Sequence, residues 1–227
     1  MPTLYHFPFC PHSRFVRLIL GEYNIATELI EERAWERREA FLTLDPSGRT
    51  PVFIDDDSCV ISGAGPIAEY IDETYGAAHG AHRLLPQTKS QRIETRRLTE
   101  WFNNKFYDEV TSWLVKEKIQ KRYSAQSGPP DMDVVRIARA NMRHHMHYMG
   151  YLANMRSWLA GERMSYADFA AAAHLSCADY LGDAPWDEHE STKNWYQKIK
   201  SRPTFRPVLA DRMLGMAPAP QYSLLDF

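Results

Sequence analysis

Cysteine is scarce in this chain: there are three among 227 residues, an odd number at wide spacing (Cys10, Cys59, Cys177). That excludes a disulfide framework and points to a reduced, cytoplasmic protein. A basic excess is also missing, since 27 Lys and Arg stand against 29 Asp and Glu for a net charge of −2. A nucleic-acid partner is therefore not expected. No apolar run approaches the ~20 residues needed to cross a bilayer, which excludes membrane insertion. The opening Met-Pro-Thr-Leu-Tyr-His-Phe has no charged stretch leading into a long apolar core, so no secretory leader is expected. Internal repeats are absent as well. What remains is ordinary globular composition, 44 % hydrophobic and 25 % charged.

The first 76 residues alternate short apolar strands with helical stretches. Residues 3–7 read as a strand closed by Pro8. A helix follows with Pro11 in its first turn, Phe15, Leu18 and Ile19 on one face, and Gly21 as an early stop. Residues 27–30 form a second strand, and 35–44 a charged helix or irregular turn. Residues 51–54 and 58–61 flank Asp55-Asp56-Asp57 as a hairpin, and a helix carrying Ile67, Tyr70 and Ile71 begins at Gly65-Pro66. Residues 77–88, rich in Gly, Ala, His and Pro, read as a linker.

No strand is evident in residues 89–227. A long helix is expected over 89–123, with Leu98, Trp101, Phe102, Phe106, Val110, Trp113 and Leu114 on its apolar side. A loop over 124–130 leads to a helix capped by Asp131 or Asp133 and running to about Leu159, with Val134, Ile137, Met142, Met149, Leu152 and Trp158 facing inward. Its His144, His145 and His147 lack nearby acids and make no metal constellation. Further helices are expected near 165–181, 191–201 and 205–214.

Three motifs carry chemistry or fold. Phe9-Cys-Pro-His-Ser-Arg-Phe-Val-Arg17 follows the first strand directly. Proline at the first helical position leaves Cys10 at the helix cap, where unpaired N–H groups and the positive helix end favour thiolate. Ser13 occupies the second position of a Cys-x-x-Cys pair, so only monothiol chemistry remains. Asp45-Pro-Ser-Gly-Arg-Thr-Pro51 is the second motif, and Ser165-Tyr-Ala-Asp168 reads as a capping box. Cys59 and Cys177, inside apolar runs, read as core.

In order and spacing these segments, with Trp195-Tyr-x-x-Ile-x-x-Arg-Pro203, resemble the glutathione-transferase superfamily over nearly the whole chain. The resemblance implies an α/β thioredoxin-like N-terminal domain (1–76), a linker (77–88) and an all-α C-terminal domain (89–227). It also implies that Pro51 is cis and turns the Thr50 backbone towards a bound thiol peptide. Family members grip the γ-glutamyl end of glutathione with an acidic residue followed by Ser before the third helix. Here those positions are Gly63 and Ala64. Losing charge-assisted hydrogen bonds of ~1.5–3 kcal/mol each weakens glutathione binding by roughly two to four powers of ten. No cofactor is expected, beyond weak glutathione binding. Cys10 thus has two readings: an active thiol, with Ser13 as a secondary donor, or an inherited small residue packed under the helix start.

Two stretches suggest a partner. Glu31-Glu-Arg-Ala-Trp-Glu-Arg-Arg-Glu-Ala-Phe-Leu42 is dense in charge around Trp35, which either packs inward with Phe41 or stands out as an interface anchor. The C-terminal end closes on Tyr222, Leu224, Leu225, Asp226 and Phe227, and either folds back over the helical domain or docks a partner. These stretches resemble a branch of the superfamily, the glutathione-transferase-like cell-division proteins of alphaproteobacteria that bind filaments of the tubulin homologue FtsZ. That resemblance implies a cytoplasmic homodimer at the division site that curves or bundles FtsZ filaments without catalysis. The alternative is a glutathione transferase or monothiol thiol transferase using Cys10.

Overall fold

A computed structural model describes residues 1–123 and 128–227; most of the loop expected over 124–130 lies outside the described residues. Four strands, β1 (Thr3–His6), β2 (Glu28–Glu31), β3 (Val52–Ile54) and β4 (Val60–Ser62), form one sheet in the order β2-β1-β3-β4. β1 runs parallel to β2, with Leu4 opposite Leu29, and antiparallel to β3, with Leu4 opposite Phe53. Successive side chains of a strand point to opposite faces. Leu4 accordingly joins Phe15, Phe53 and Ile67 in the main core, while Tyr5 meets Phe41 of α2 (Glu39–Leu44) at 5.9 Å. The helix α1 (Pro11–Glu22) runs past Gly21, and α3 (Ala64–Thr74) starts one residue before the expected Gly65.

The edge strand β4 holds a correction. Cys59 is exposed, in the turn that precedes β4, and Val60 beside it is 43 % exposed. The apolar run that suggested core lies on an uncovered sheet edge. Cys177 is buried as expected. The expected linker is structured too: a 3₁₀ segment, Gly76–His82, leads to the buried pair Leu84 and Leu85. The Leu84 N–H donates to the Tyr23 hydroxyl at 2.7 Å, and His79 stacks on the Tyr23 ring.

The helical domain comprises α4 (Lys89–Glu100), a π-helical stretch (Trp101–Thr111), α5 (Ser112–Lys118), α6 (Met132–Met155), α7 (Tyr166–Tyr180), α8 (Glu190–Lys200) and α9 (Arg206–Leu209). The single long helix expected over 89–123 is therefore rewound in its middle. Leu98, Phe102, Phe106, Val110 and Leu114 are all fully buried and lie four residues apart. A spacing of four overshoots an α-helical turn of ~3.6 residues. The wider π winding, with i→i+5 hydrogen bonds, brings such a row back into line. Trp113 lies off that row and is 42 % exposed, against expectation. Ile137 of α6 is likewise exposed, whereas Met142, Met146 and Met149 fill the core. Asp131 caps α6, accepting from the N–H groups of Asp133 and Val134. The expected helix over 205–214 shrinks to the four residues of α9.

Helix α7 is buried along its whole length, its polar Asp168, His174, Ser176 and Asp179 included. The capping box is present: Asp168 accepts the Ser165 N–H at 2.9 Å. Its other oxygen accepts the Leu159 N–H and the Trp195 indole N–H. Asp168 thereby fixes the turn before α7 and the seat of α8. We expect Ser165→Ala to cost about 1 kcal/mol, in the range of N-cap losses. Asp168→Ala should cost more, because Asp168 accepts from four buried donors, the Ser165 hydroxyl included; denaturant unfolding of both variants checks the order.

Candidate functional site

The turn between β1 and α1 is a tight, buried device. The Cys10 N–H donates to the Phe7 carbonyl at 2.9 Å, and the Phe7 N–H donates to the Ser13 hydroxyl at 3.3 Å. Ser13 is fully buried and holds this turn. Pro11 occupies the first helical position, and no side chain caps the helix. Cys10 therefore stands as the cap, half-buried, with its Sγ 3.5 Å from the Thr50 carbonyl oxygen. The Thr50–Pro51 bond is cis. Asp45 shapes the approach to it by accepting the N–H groups of Ser47 and Arg49.

Burial pushes the Cys10 thiol up, but hydrogen bonding to His12, the His12 charge and bonds from Ser13 outweigh it and bring it down to about 7. His12 is a residue that sequence reasoning passed over. Its Nε2 lies 2.7 Å from the carbonyl oxygen of Asn103, in the π-helical stretch. A ring nitrogen facing a carbonyl must carry the proton, so Nδ1 is left for Cys10. Burial also acts on His12, lowering its proton affinity, yet the bond to Cys10 raises it above the ordinary value. Each group thus favours the charged form of the other, the kind of pairing that activates cysteine nucleophiles. The local signal was the His two positions after Cys10; its partner Asn103 is 91 residues away from it in sequence. Cys177 behaves oppositely: burial drives its thiol up to about 11.

Two adjoining cavities open at this point and share His12, Arg49 and Thr50. The first, about 520 Å³, is lined by Cys10, Phe7, Trp35, Tyr107, Arg37 and Arg49 among others. Trp35 is a half-buried wall of this cavity, edge-on to Phe7 at 4.8 Å and tilted against Tyr123 at 5.4 Å. Phe41 packs inward at 1 % exposure. The second cavity, about 530 Å³, lies against Thr50, Pro51, Gly63 and Ala64. Gly63 precedes α3 with φ of +89°, a conformation that glycine adopts without strain. Neither Gly63 nor Ala64 offers a carboxylate or hydroxyl, and Glu69, at the rim, is forked onto Arg96 at 2.7–2.8 Å.

The C-terminal residues line neither of these cavities. Tyr222 is fully buried, its hydroxyl donating to the Val208 carbonyl at 2.9 Å. Phe227 packs on Trp186 and Tyr196, and its carbonyl oxygen accepts from Gln197. Beneath them the buried Lys200 ammonium pairs with Asp179 at 3.1 Å and donates to the Gln221 carbonyl. Between these anchors Leu224 and Leu225 are 50 % and 46 % exposed, and Asp226 is exposed. The tail folds back and presents two leucines at once. Of the α6 histidines, expected to lack acidic neighbours, His145 does have one: its Nε2 lies 2.9 Å from Glu109, and its Nδ1 accepts the Trp101 indole N–H. No helix among the described residues is long and apolar enough to cross a membrane.

The pattern of the glutathione S-transferase N-terminal domain matches residues 4–79, and that of the C-terminal domain matches 136–203. The chain belongs to the glutathione S-transferase family. Among curated relatives, FtsZ-localized protein A of Caulobacter vibrioides is 46 % identical over 228 residues, covering 99 % of this chain and 98 % of that protein. Among solved structures, a glutathione S-transferase from Sinorhizobium meliloti aligns over 100 % of both chains at 51 % identity and TM-score 0.97. FzlA from C. crescentus aligns over 100 % of this chain and 99 % of its own at 46 % identity and TM-score 0.94. The thioredoxin-like and all-helical halves read from the sequence are those of this family.

The thiolate requires deprotonation, so alkylation of Cys10 by iodoacetamide should rise with pH through a midpoint near 7. His12→Ala should move that midpoint upward, because burial then acts without its counterweight. A stopped-flow pH–rate profile of both proteins, with Cys59 replaced by Ser, checks this; an unmoved midpoint would remove His12 from the pair.

Proposed function

We propose that this chain is a non-catalytic, homodimeric cell-division protein that binds FtsZ filaments at the division site and curves or bundles them. The observation that carries this reading is the full-length relationship to FtsZ-localized protein A, in a chain whose acid–Ser grip on glutathione is replaced by Gly63 and Ala64. In this reading the family fold serves as a rigid platform and the partner contact lies outside the thiol cavities. The C-terminal tail is the contact we favour. Leu224 and Leu225 are presented between two aromatic anchors, so an apolar partner surface gains them without ordering a free tail. Trp35, walled into the cavity, supports the surface around it rather than anchoring a partner.

Co-sedimentation with GTP-assembled FtsZ tests the proposal. The wild-type protein should pellet only with polymer, and Leu224→Ser with Leu225→Ser should weaken binding by about tenfold or more, as for interface anchors. Cys10→Ala should pellet as wild type. Failure of the folded wild-type protein to pellet would overturn the reading.

A second reading is favoured by the lowered Cys10 thiol beside His12. In it Cys10 thiolate attacks the sulfur of a mixed disulfide, a new disulfide forms on Cys10, and the displaced thiolate takes its proton from the His12 imidazolium. Retention on glutathione resin that is abolished by Cys10→Ala would support it. Passage of the wild-type protein straight through would count against it.

A further inference from the structure

Three arginines follow β2 in close succession, and two of them are committed to neighbouring acids. Arg33 pairs with Glu31 at 3.5 Å and with Glu36 at 3.4 Å, and Arg38 forks onto the buried Glu32. Arg37, between them, has no ion pair and no side-chain hydrogen bond among the described residues, and it lines the cavity at Cys10. Its backbone is left-handed, with φ of +51° and ψ of +44°, at the end of the 3₁₀ turn Ala34–Glu36. Glycine takes such a conformation freely, whereas an arginine there is strained. Strain of this kind persists where a site depends on the placement it gives. Here the placement is across the cavity, with the Arg37 Nη1 3.6 Å from the point where a Cβ on Gly48 would stand.

Arg49, next to Gly48, lines the same cavity, and its side chain also has no ion pair among the described residues. Its charge reaches the thiol, since it acts to lower the proton affinity of His12. Asp45 lies outside the lining and is engaged by the N–H groups of Ser47 and Arg49. Asp108 is the carboxylate within it. Cys10 and His12 together are neutral whichever of them holds the proton, so two arginines against one aspartate leave the cavity with one positive charge in excess. Much of the remaining wall is aromatic or apolar, from Phe7, Trp35, Tyr107 and Val115. A volume of about 520 Å³ suits a small molecule.

We propose that the cavity at Cys10 selects disulfides whose reacting half is an aromatic thiol bearing a carboxylate. Arg37 and Arg49 take the carboxylate, as guanidinium groups do, and Trp35 and Phe7 take the ring. This rests on the second reading above, in which Cys10 exchanges with disulfides, and names the substrate class of that exchange. The Cys10 thiolate attacks the nearer sulfur and the S–S bond breaks. The nearer half stays on Cys10 as a mixed disulfide, and the farther half leaves with the bonding pair as a thiolate. One disulfide replaces another, so no further oxidant or reductant takes part. Gly63 and Ala64 line the second cavity and not this one, so the missing acid and serine do not bear on this selection.

Full-length protein carrying Cys59→Ser is mixed in stopped flow with dithiobis(nitrobenzoate), a carboxylated aromatic disulfide, and with dithiodipyridine, an uncharged one. Cys177 stays silent because it is buried and its thiol is driven up to about 11, and Cys10→Ala sets the background. The ratio of the two rates cancels the thiolate fraction, so a shift in His12 does not disturb it. Relative to the same ratio for mercaptoethanol, it should favour the carboxylated disulfide by roughly tenfold at low ionic strength and narrow as salt screens the exposed arginines. Arg37→Gln and Arg49→Gln should each lower the ratio by about threefold, and together bring it to that of mercaptoethanol. Arg37→Lys, which keeps the charge, should retain most of the preference. If Cys10 reacts with both disulfides in the mercaptoethanol ratio, the proposal is overturned while the exchange reading stands. A preference that survives the double Gln variant overturns it as well. Cys10 inert to both disulfides overturns the exchange reading and the proposal with it.

Discussion

The packing of α1 against α7 is the constraint on which the rest of the structure depends. One helix belongs to the thioredoxin-like half and the other to the helical half, so this contact is the joint between domains. Alanines at 167, 170–173 and 178 keep α7 slim, and every residue of it is buried. At the joint the Arg14 guanidinium is fully buried, donating to the Pro8 carbonyl at 2.6 Å and the Ser176 hydroxyl at 2.8 Å. Asp211, held by Arg17 at 2.8 Å, balances the charge at 3.4 Å. A buried cation is tolerated only when it is paired and hydrogen-bonded, so the two halves meet in one registration.

That registration sets the chemistry at Cys10. The start of α1 is fixed relative to the helical domain, which places the Asn103 carbonyl on His12 and leaves the other ring nitrogen for the thiol. A helix end alone favours thiolate modestly; the buried imidazole adds what outweighs burial. The π winding of residues 101–111 belongs to the same arrangement, since Asn103 and Tyr107 reach His12 from that stretch. The thiol's proton affinity is lowered, while Gly63 and Ala64 in the adjoining cavity offer neither carboxylate nor hydroxyl. The two properties sit in adjoining cavities and are separable by mutation.

The far side of the helical domain obeys a different logic. Lys200 and Asp179, both fully buried, form an ion pair beneath Tyr196, Tyr222 and Phe227, whose rings lie 4.4–5.8 Å from the ammonium. Removing either charge would strand the other in a low-dielectric interior. The pair therefore holds the C-terminal segment in place, and the leucines between the anchors are displayed as a consequence.

The succession of strands and helices in residues 1–76, the helical character of residues 89–227, the capping box at Ser165 and the cap at Cys10 were legible in the sequence. Each depends on residues a few positions apart, where periodicity and turn chemistry act directly. That Gly63 and Ala64 stand where the family carries an acid and a serine was legible only through the resemblance. The seat of Trp35 against Phe7 and Tyr123, the exposure of Cys59 and the divided fate of the tail were not, because each depends on what a distant segment covers. Tyr123 and Phe7 enclose Trp35, nothing covers the edge strand at Cys59, and α8 takes Phe227 but not Leu224. Sequence by itself thus determined the fold, through motifs whose order and spacing resemble the family's, and the position of the thiol, through the Cys-Pro turn. Tertiary structure alone decided the partner of that thiol and the faces left to solvent, because His12 to Asn103 spans 91 residues that only packing brings together.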